Sequence, residues 1–182
     1  MKFPTVLSVL ALLFAGTASA QTAATPFLDY DLLEIRFIDV DVAGGDGLKL
    51  GGSYRLQNNW LIVGSLASVS FNGDVDATTL ELGGGYVWPY RDDWDLVASV
   101  RYVNISGDID DSGVIFEGGV RGLLTPQFEI RGSANHVTAG GSDTFLELGG
   151  DYYFTEQFAA GLTFEFAGDA DVWTIGARWF FR

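Results

Sequence analysis

The stretch Phe158-Ala-Ala-Gly-Leu-Thr-Phe-Glu-Phe166 places Phe158, Ala160, Leu162, Phe164 and Phe166 on one parity, and Ala159, Gly161, Thr163 and Glu165 on the other. A period of two is the mark of a β-strand with one apolar face. From about Tyr30 onward the chain repeats this unit, a strand-length alternating run followed by a short turn. The turn signals are Ala43 to Asp46, Gln57-Asn58-Asn59, Asn72-Gly73-Asp74, Pro89 to Asp93, Asp108 to Gly113, Thr125-Pro126-Gln127, Ala139 to Ser142, Thr155-Glu156-Gln157 and Gly168-Asp169-Ala170. They separate ten strands of roughly 9–12 residues, the length a tilted strand needs to cross a bilayer. The predicted fold is all-β, an antiparallel up-and-down barrel; eight strands are the alternative if one hairpin, near strand one or three, is misread. The run Trp60 to Phe71 carries apolar residues on both parities, which leaves its facing open. The first run is regular through Glu34 and Arg36 and then shifts phase near Phe37-Ile38, which predicts a β-bulge.

The two ends of the chain agree with an exported barrel. Lys2, the apolar run Val6 to Phe14 and the small residues Ala18-Ser19-Ala20 form a secretory signal peptide over residues 1–20, so Gln21 would begin the mature protein. That apolar run is shorter than the ~20 residues of a spanning helix. Residues 21–29 then read as a short periplasmic segment, and residues 30–182 as the barrel. At the other end, Trp173, Ile175, Ala177, Trp179 and Phe181 share one face, while Thr174, Gly176, Arg178 and Phe180 share the other; Arg182 follows.

Positive mean hydropathy (+0.21) coexists with a formal charge of −14. A membrane barrel reconciles the two, with apolar side chains on lipid and charge in the lumen and loops. This acidity opposes nucleic-acid binding, which requires basic patches. The absence of cysteine excludes disulfide scaffolds and thiolate metal sites. With a periplasmic N-terminus, the outward connections and their flanks carry Asp39, Asp41, Asp46, Asp74, Asp76, Asp108, Asp110, Asp111, Asp143, Asp169 and Asp171, without a Lys or Arg. Trp60, Trp88, Trp94 and the Tyr152 to Phe158 region fall beside the periplasmic turns, and Phe71, Tyr102, Phe116, Phe166 and Trp173 toward the outer ends. Two such aromatic belts are expected at the two faces of a bilayer. A soluble lipocalin-like barrel also alternates, but explains neither the belts nor the last strand.

The polar parity carries Glu34, Arg36, Lys49, Arg55, Glu81, Arg101, Glu117, Arg121, Glu129, Arg131, Glu147, Asp151, Glu165 and Arg178. Hairpin register predicts Arg101 between Glu81 and Glu117, Arg55 facing Glu34, Arg131 facing Asp151, and Glu147 between Glu165 and Asn135. Paired charges are tolerated in a confined interior. The lumen is therefore expected to be filled by side chains rather than open, since water-filled channels belong to barrels of ~16 strands.

Gly73-Asp-Val-Asp76, Gly107-Asp-Ile-Asp110 and Gly168-Asp-Ala-Asp171 repeat one pattern at the outer tips. Oxygen clusters of this sort suit Ca²⁺ or Mg²⁺, which makes Asp74, Asp76, Asp108, Asp110, Asp111, Asp169 and Asp171 candidate ligands for a divalent cation shared with lipopolysaccharide phosphates. Gly-Asp is also ordinary turn chemistry. No other cofactor is expected. His136 is the single histidine, so a hydrolytic site would combine it with Asp143, Asp108 or Asp110 and with Ser112 or Ser142. The ten-stranded outer-membrane aspartyl-type proteases place acids and a histidine at the rim, but this chain lacks the long outer loops that build their cleft, and a non-enzymatic protein is expected.

With these features in place, the mature chain resembles the small outer-membrane β-barrel proteins of Gram-negative bacteria, the OmpA/OmpX-like superfamily. Its C-terminal strand resembles those whose terminal aromatics, here Trp179 and Phe181, are read by the barrel-insertion machinery. Leu28-Asp29-Tyr30-Asp31 and Asp95-Leu-Val-Ala-Ser-Val-Arg-Tyr102 resemble a xanthomonad-type, ten-stranded family once described as a sulfation-dependent quorum factor. The resemblance implies an integral outer-membrane protein in contact with lipid and lipopolysaccharide, with a structural or surface role. A narrow porin-like passage and a surface adhesin or receptor are the alternatives; short loops disfavour the adhesin.

Overall fold

The computed structural model describes residues 28–40, 44–73, 75–167 and 170–181. The signal peptide, residues 21–27, Asp41, Asp74, Asp169 and Arg182 lie outside the described residues. The strands are β1 Leu32–Val40, β2 Gly45–Arg55, β3 Trp60–Phe71, β4 Val75–Arg91, β5 Trp94–Gly107, β6 Asp111–Thr125, β7 Phe128–Val137, β8 Asp143–Tyr153, β9 Phe158–Ala167 and β10 Ala170–Phe180. Each pairs antiparallel with its chain neighbours, and β1 pairs with β10, so the sheet closes on itself and leaves no edge.

Side-chain direction follows the period of two throughout. Leu33, Ile35, Phe37, Leu66, Leu82, Tyr102, Phe116, Leu148, Phe164 and Trp179 stand exposed on the exterior, whereas Arg36, Arg121, Glu129, Asp151 and Arg178 are buried in the bore. This polarity is the inverse of a water-soluble barrel and the expected one for a barrel solvated by lipid. In β3, Trp60, Ile62 and Leu66 face out and Leu61 faces in, which resolves the ambiguity of that run. The predicted bulge in β1 is not there: Leu32–Val40 pairs without interruption to both neighbours. Ile38 is simply a lumenal apolar residue near the far end, so the alternation never breaks.

Register shifts occur elsewhere, between Pro89 and Arg91 and between Leu123 and Thr125. Proline cannot donate to a ladder, so an irregularity at Pro89 is where one is expected. Three strands exceed the predicted length: β4 has 17 residues, β5 has 14 and β6 has 15. They form a taller wall, with β4 running past Tyr86, the partner of Trp60, as far as Arg91. Asn58 and Asn59 both take positive φ (60° and 65°) in the β2–β3 turn, a conformation asparagine tolerates better than most side chains. Both ends of the barrel chain and the turns at 56–59, 92–93, 126–127 and 154–157 lie at one end, here called the periplasmic end.

Candidate functional site

The lumen is divided into two unlike sides. On the side of β1 and β7 to β10, charges interlock. Arg178 of β10 places Nη1 3.2 Å from Glu129 and 3.2 Å from Asp151, and Nε 3.3 Å from Glu34. Arg121 donates Nε and Nη2 to the two oxygens of Glu129 at 2.6 and 2.8 Å, a bidentate pair. Arg36 donates to Glu34 at 2.9 Å and to Thr163 at 3.1 Å. Arg131 bonds Asp151 and Thr163 and lies 3.5 Å from Glu147. Tyr153 donates its hydroxyl to Glu129. Glu129 and Asp151 are 0% and 1% exposed, so each carboxylate is held away from water and depends on its guanidinium partners. Nearer the outer end, Arg101 sits between Glu81 at 3.1 Å and Glu117, and also reaches Asn135. Lys49 approaches Glu81 at 3.9 Å.

The predicted register is right in part. Arg101 bridges Glu81 and Glu117, and Glu147 stands directly opposite Glu165. The other partner of Glu147 is Ser133 rather than Asn135. Arg131 lies opposite Gly149, two residues from the expected Asp151, and still reaches that carboxylate along the strand. It can do so because position 149 is a glycine: a Cβ there would lie 2.7 Å from the Arg131 Cζ. Glu34, Arg36 and Arg101 likewise face Gly51, Gly176 and Gly83. The predicted Arg55–Glu34 pair does not form. Leu32 pairs with Ser53, which carries Arg55 past the start of β1, where it donates to Asn59 at 2.7 Å.

On the opposite side, the lumenal positions between Glu81 and the periplasmic end carry no charge on β3 and β4. Leu61, Val63 and Ser65 of β3 and Gly83, Gly85 and Val87 of β4 face the bore. Against them lies the segment that precedes β1. Leu28, Asp29 and Tyr30 are buried, and Leu28 and Tyr30 pack with Leu61, Val87 and Leu123. Tyr30 donates its hydroxyl to Asp95 at 2.9 Å, and its carbonyl accepts from Ser53. Arg121 donates to the Asp29 carbonyl at 2.7 Å and lies over the Tyr30 ring at 4.6 Å; Arg55 lies over the same ring at 5.4 Å. Burial raises the Tyr30 pKa well above the ordinary tyrosine range; Arg121 opposes the shift and Asp95 reinforces it. A cavity of about 220 Å³ lies on one side of this segment, bordered by Tyr30, Glu34, Lys49, Glu81, Arg101 and Glu147. A second, of about 350 Å³, opens among Leu28, Arg55, Arg91 and Asp95.

Tyr30, Asp95 and Tyr153 thus belong to the lumenal arrangement although sequence reading omitted them. Asp95 shares the lumenal parity of Arg101, so strand alternation alone could have found it.

At the outer rim, the Asp108 carboxylate accepts from the Asp76 backbone N–H at 2.8 Å, and Asp111 accepts from Ser112 and Gly140. These acids hold turns in place. Among the described residues no three acidic or histidine side chains converge as a metal site would require. Asp110 and Asp171 stand exposed at the rim. His136 projects outward and contacts Thr144 at 2.9 Å and Ser142 at 3.4 Å, with no carboxylate bonded to either ring nitrogen. At the last strand, Trp179 is exposed on the exterior and Phe181 lies beside it, ring centres 5.9 Å apart. Phe180 points inward, fully buried with Leu32 and Ala159.

An apolar exterior around a charged bore admits one setting. This is an outer-membrane β-barrel. No family model matches the sequence, and no curated protein matches it. Among solved structures the barrel resembles the KdgM porin (TM-score 0.53, 12% identity, covering 83% of this chain and 99% of that one). It also resembles the NanC porin (TM-score 0.54, 13% identity, covering 82% and 100%). At such identity the likeness is one of fold.

Proposed function

We propose that this barrel is a non-enzymatic component of the outer membrane whose lumen is held closed at rest and whose role is structural. The observation that carries the reading is the Arg178 guanidinium, which spans from β10 to Glu129 on β7 and Asp151 on β8 while holding Glu34 on β1. Such a crosslinked set occupies bore that a general porin leaves to water. Divalent cations bridging the acidic rim to lipopolysaccharide phosphates would complete the structural role. The expected assembly route is the insertion machinery reading Trp179 and Phe181. From the resemblance to the xanthomonad-type barrels we transfer no signalling role.

A second reading, a narrow passage for ions or small solutes, is favoured by the two cavities on either side of the N-terminal segment. One matched porin is known in complex with oligogalacturonate. The lumenal cavity here is lined by Glu34, Glu81, Glu117 and Glu147 together with Lys49, Arg101, Arg121, Arg131 and Arg178, a mixed lining that favours neither sign of solute. Single-channel recording of the refolded protein in planar bilayers decides between the readings. A silent wild type whose Arg101→Ala variant conducts supports the closed barrel; steady wild-type conductance makes the protein a small pore.

A further inference from the structure

We infer that Leu28 to Tyr30 form an intrachain plug, and that this segment, rather than the charge network, is the removable part of the closure. The inference rests on the closed-lumen reading and deepens it. The charged side is built into the wall: its carboxylates and guanidinium groups all project from strands, and moving them means moving the barrel. The plug belongs to no strand. It enters from the periplasmic end before β1 begins and packs against the part of β3 and β4 that lies periplasmic of Glu81 and carries no lumenal charge.

Its attachments are of a kind that can be exchanged for water. They include the Tyr30 hydroxyl on Asp95, the Ser53 hydroxyl on the Tyr30 carbonyl, Arg121 on the Asp29 carbonyl, and the Arg55 and Arg121 guanidinium groups over the Tyr30 ring. Apolar contact with Leu61, Val87 and Leu123 adds to them. Tyr30 borders the cavity that Lys49, Glu81 and Arg101 line, and Leu28 borders the one that Arg55, Arg91 and Asp95 line. Withdrawal of Leu28 and Tyr30 joins the two cavities into a continuous path along the β2–β5 side. The charged side stays in place.

The chain contains no cysteine, so one introduced thiol reports the path. Ser65→Cys sits in the wall of the cavity above the plug. The measurement is its rate of modification by a charged, membrane-impermeant methanethiosulfonate added from the periplasmic face of the reconstituted full mature chain. We expect slow reaction with the plug intact, and a rate about a hundredfold higher with Leu28→Ala and Tyr30→Ala together, since truncating buried side chains shifts a closed state strongly. Tyr30→Phe, which keeps the packing and loses only the bond to Asp95, should fall between. Heat-modifiable migration on gels verifies that each variant is folded; if the double variant fails that check, the Phe variant carries the comparison alone. Equal periplasmic rates with and without the plug side chains overturn the inference. Single-channel recording separates the two readings: a conducting wild type defeats the closed lumen itself. A silent wild type with an equally silent and unreactive double variant leaves the barrel closed by its charges and defeats only the plug.

Discussion

The two sides of this bore reach the same end by different chemistry. On the β7 to β10 side, long charged side chains from adjacent strands meet each other and hold Glu129 and Asp151 away from water. On the β3–β4 side, periplasmic of Glu81, the lumenal residues are small or apolar, and a segment from outside the sheet packs against them. A wall of paired charges closes itself, because each carboxylate fixes the guanidinium beside it. A neutral wall has no means of reaching across and needs an occupant.

The comparison can be broken first at its strongest point. Arg178→Ala leaves Glu34, Glu129 and Asp151 each short of a partner, and should cost about 3–5 kcal/mol, the usual penalty for stranding a buried charge. Urea titration of folding into lipid, followed by tryptophan fluorescence, measures it. On the neutral side Leu61→Ala should cost about 2–3 kcal/mol, at the low end for a buried leucine, because the plug can settle into the vacated volume. If Leu61→Ala proves the costlier change, the distinction between the sides is wrong.

Alkaline titration sharpens the same contrast. Burial holds the Tyr30 hydroxyl neutral beyond its ordinary range, among Arg121, Arg55, Asp95 and Glu129. Its raised pKa means that the plug is held at full strength below pH ~10 and loosens above it, by up to about 1.4 kcal/mol per pH unit. Periplasmic-side reactivity of Ser65→Cys should therefore climb only above pH ~10, after correction for the reactivity of a free thiol, by up to roughly tenfold per unit. Tyr30→Phe should abolish that climb. The smallest effect is expected at Ser65→Ala. Its hydroxyl has no hydrogen-bond partner among the described residues, and stability should stay within about 0.5 kcal/mol in the same urea assay.

How much of this was legible in the sequence depended on locality. The strands follow from alternation, and Arg101 between Glu81 and Glu117 follows from hairpins whose turns fix the register. Arg55 was misplaced because β1 begins at Leu32, too late in the chain to meet it. The plug was not legible. Leu28 to Tyr30 is too short to show a period, and its partners Asp95 and Arg121 are 65 and 92 positions away. The bulge assigned near Ile38 failed for another reason: an apolar residue on the lumenal parity was mistaken for a change of phase.

Closure of β10 on β1 also sets the order in which the molecule can be made. Arg178 lies on the last strand, yet its partners lie on β1, β7 and β8. Until that strand arrives, Glu34, Glu129 and Asp151 have only Arg36, Arg121 and Arg131 beside them, and the seam is open from Leu32 to Val40. A slip of two residues as β10 docks would carry Arg178 away from all three acids and would move Phe180 out of its place against Leu32 and Ala159. The final strand therefore carries its own proofreading: correct alignment is rewarded at the moment of ring closure, and translation must finish before the charge lattice can exist.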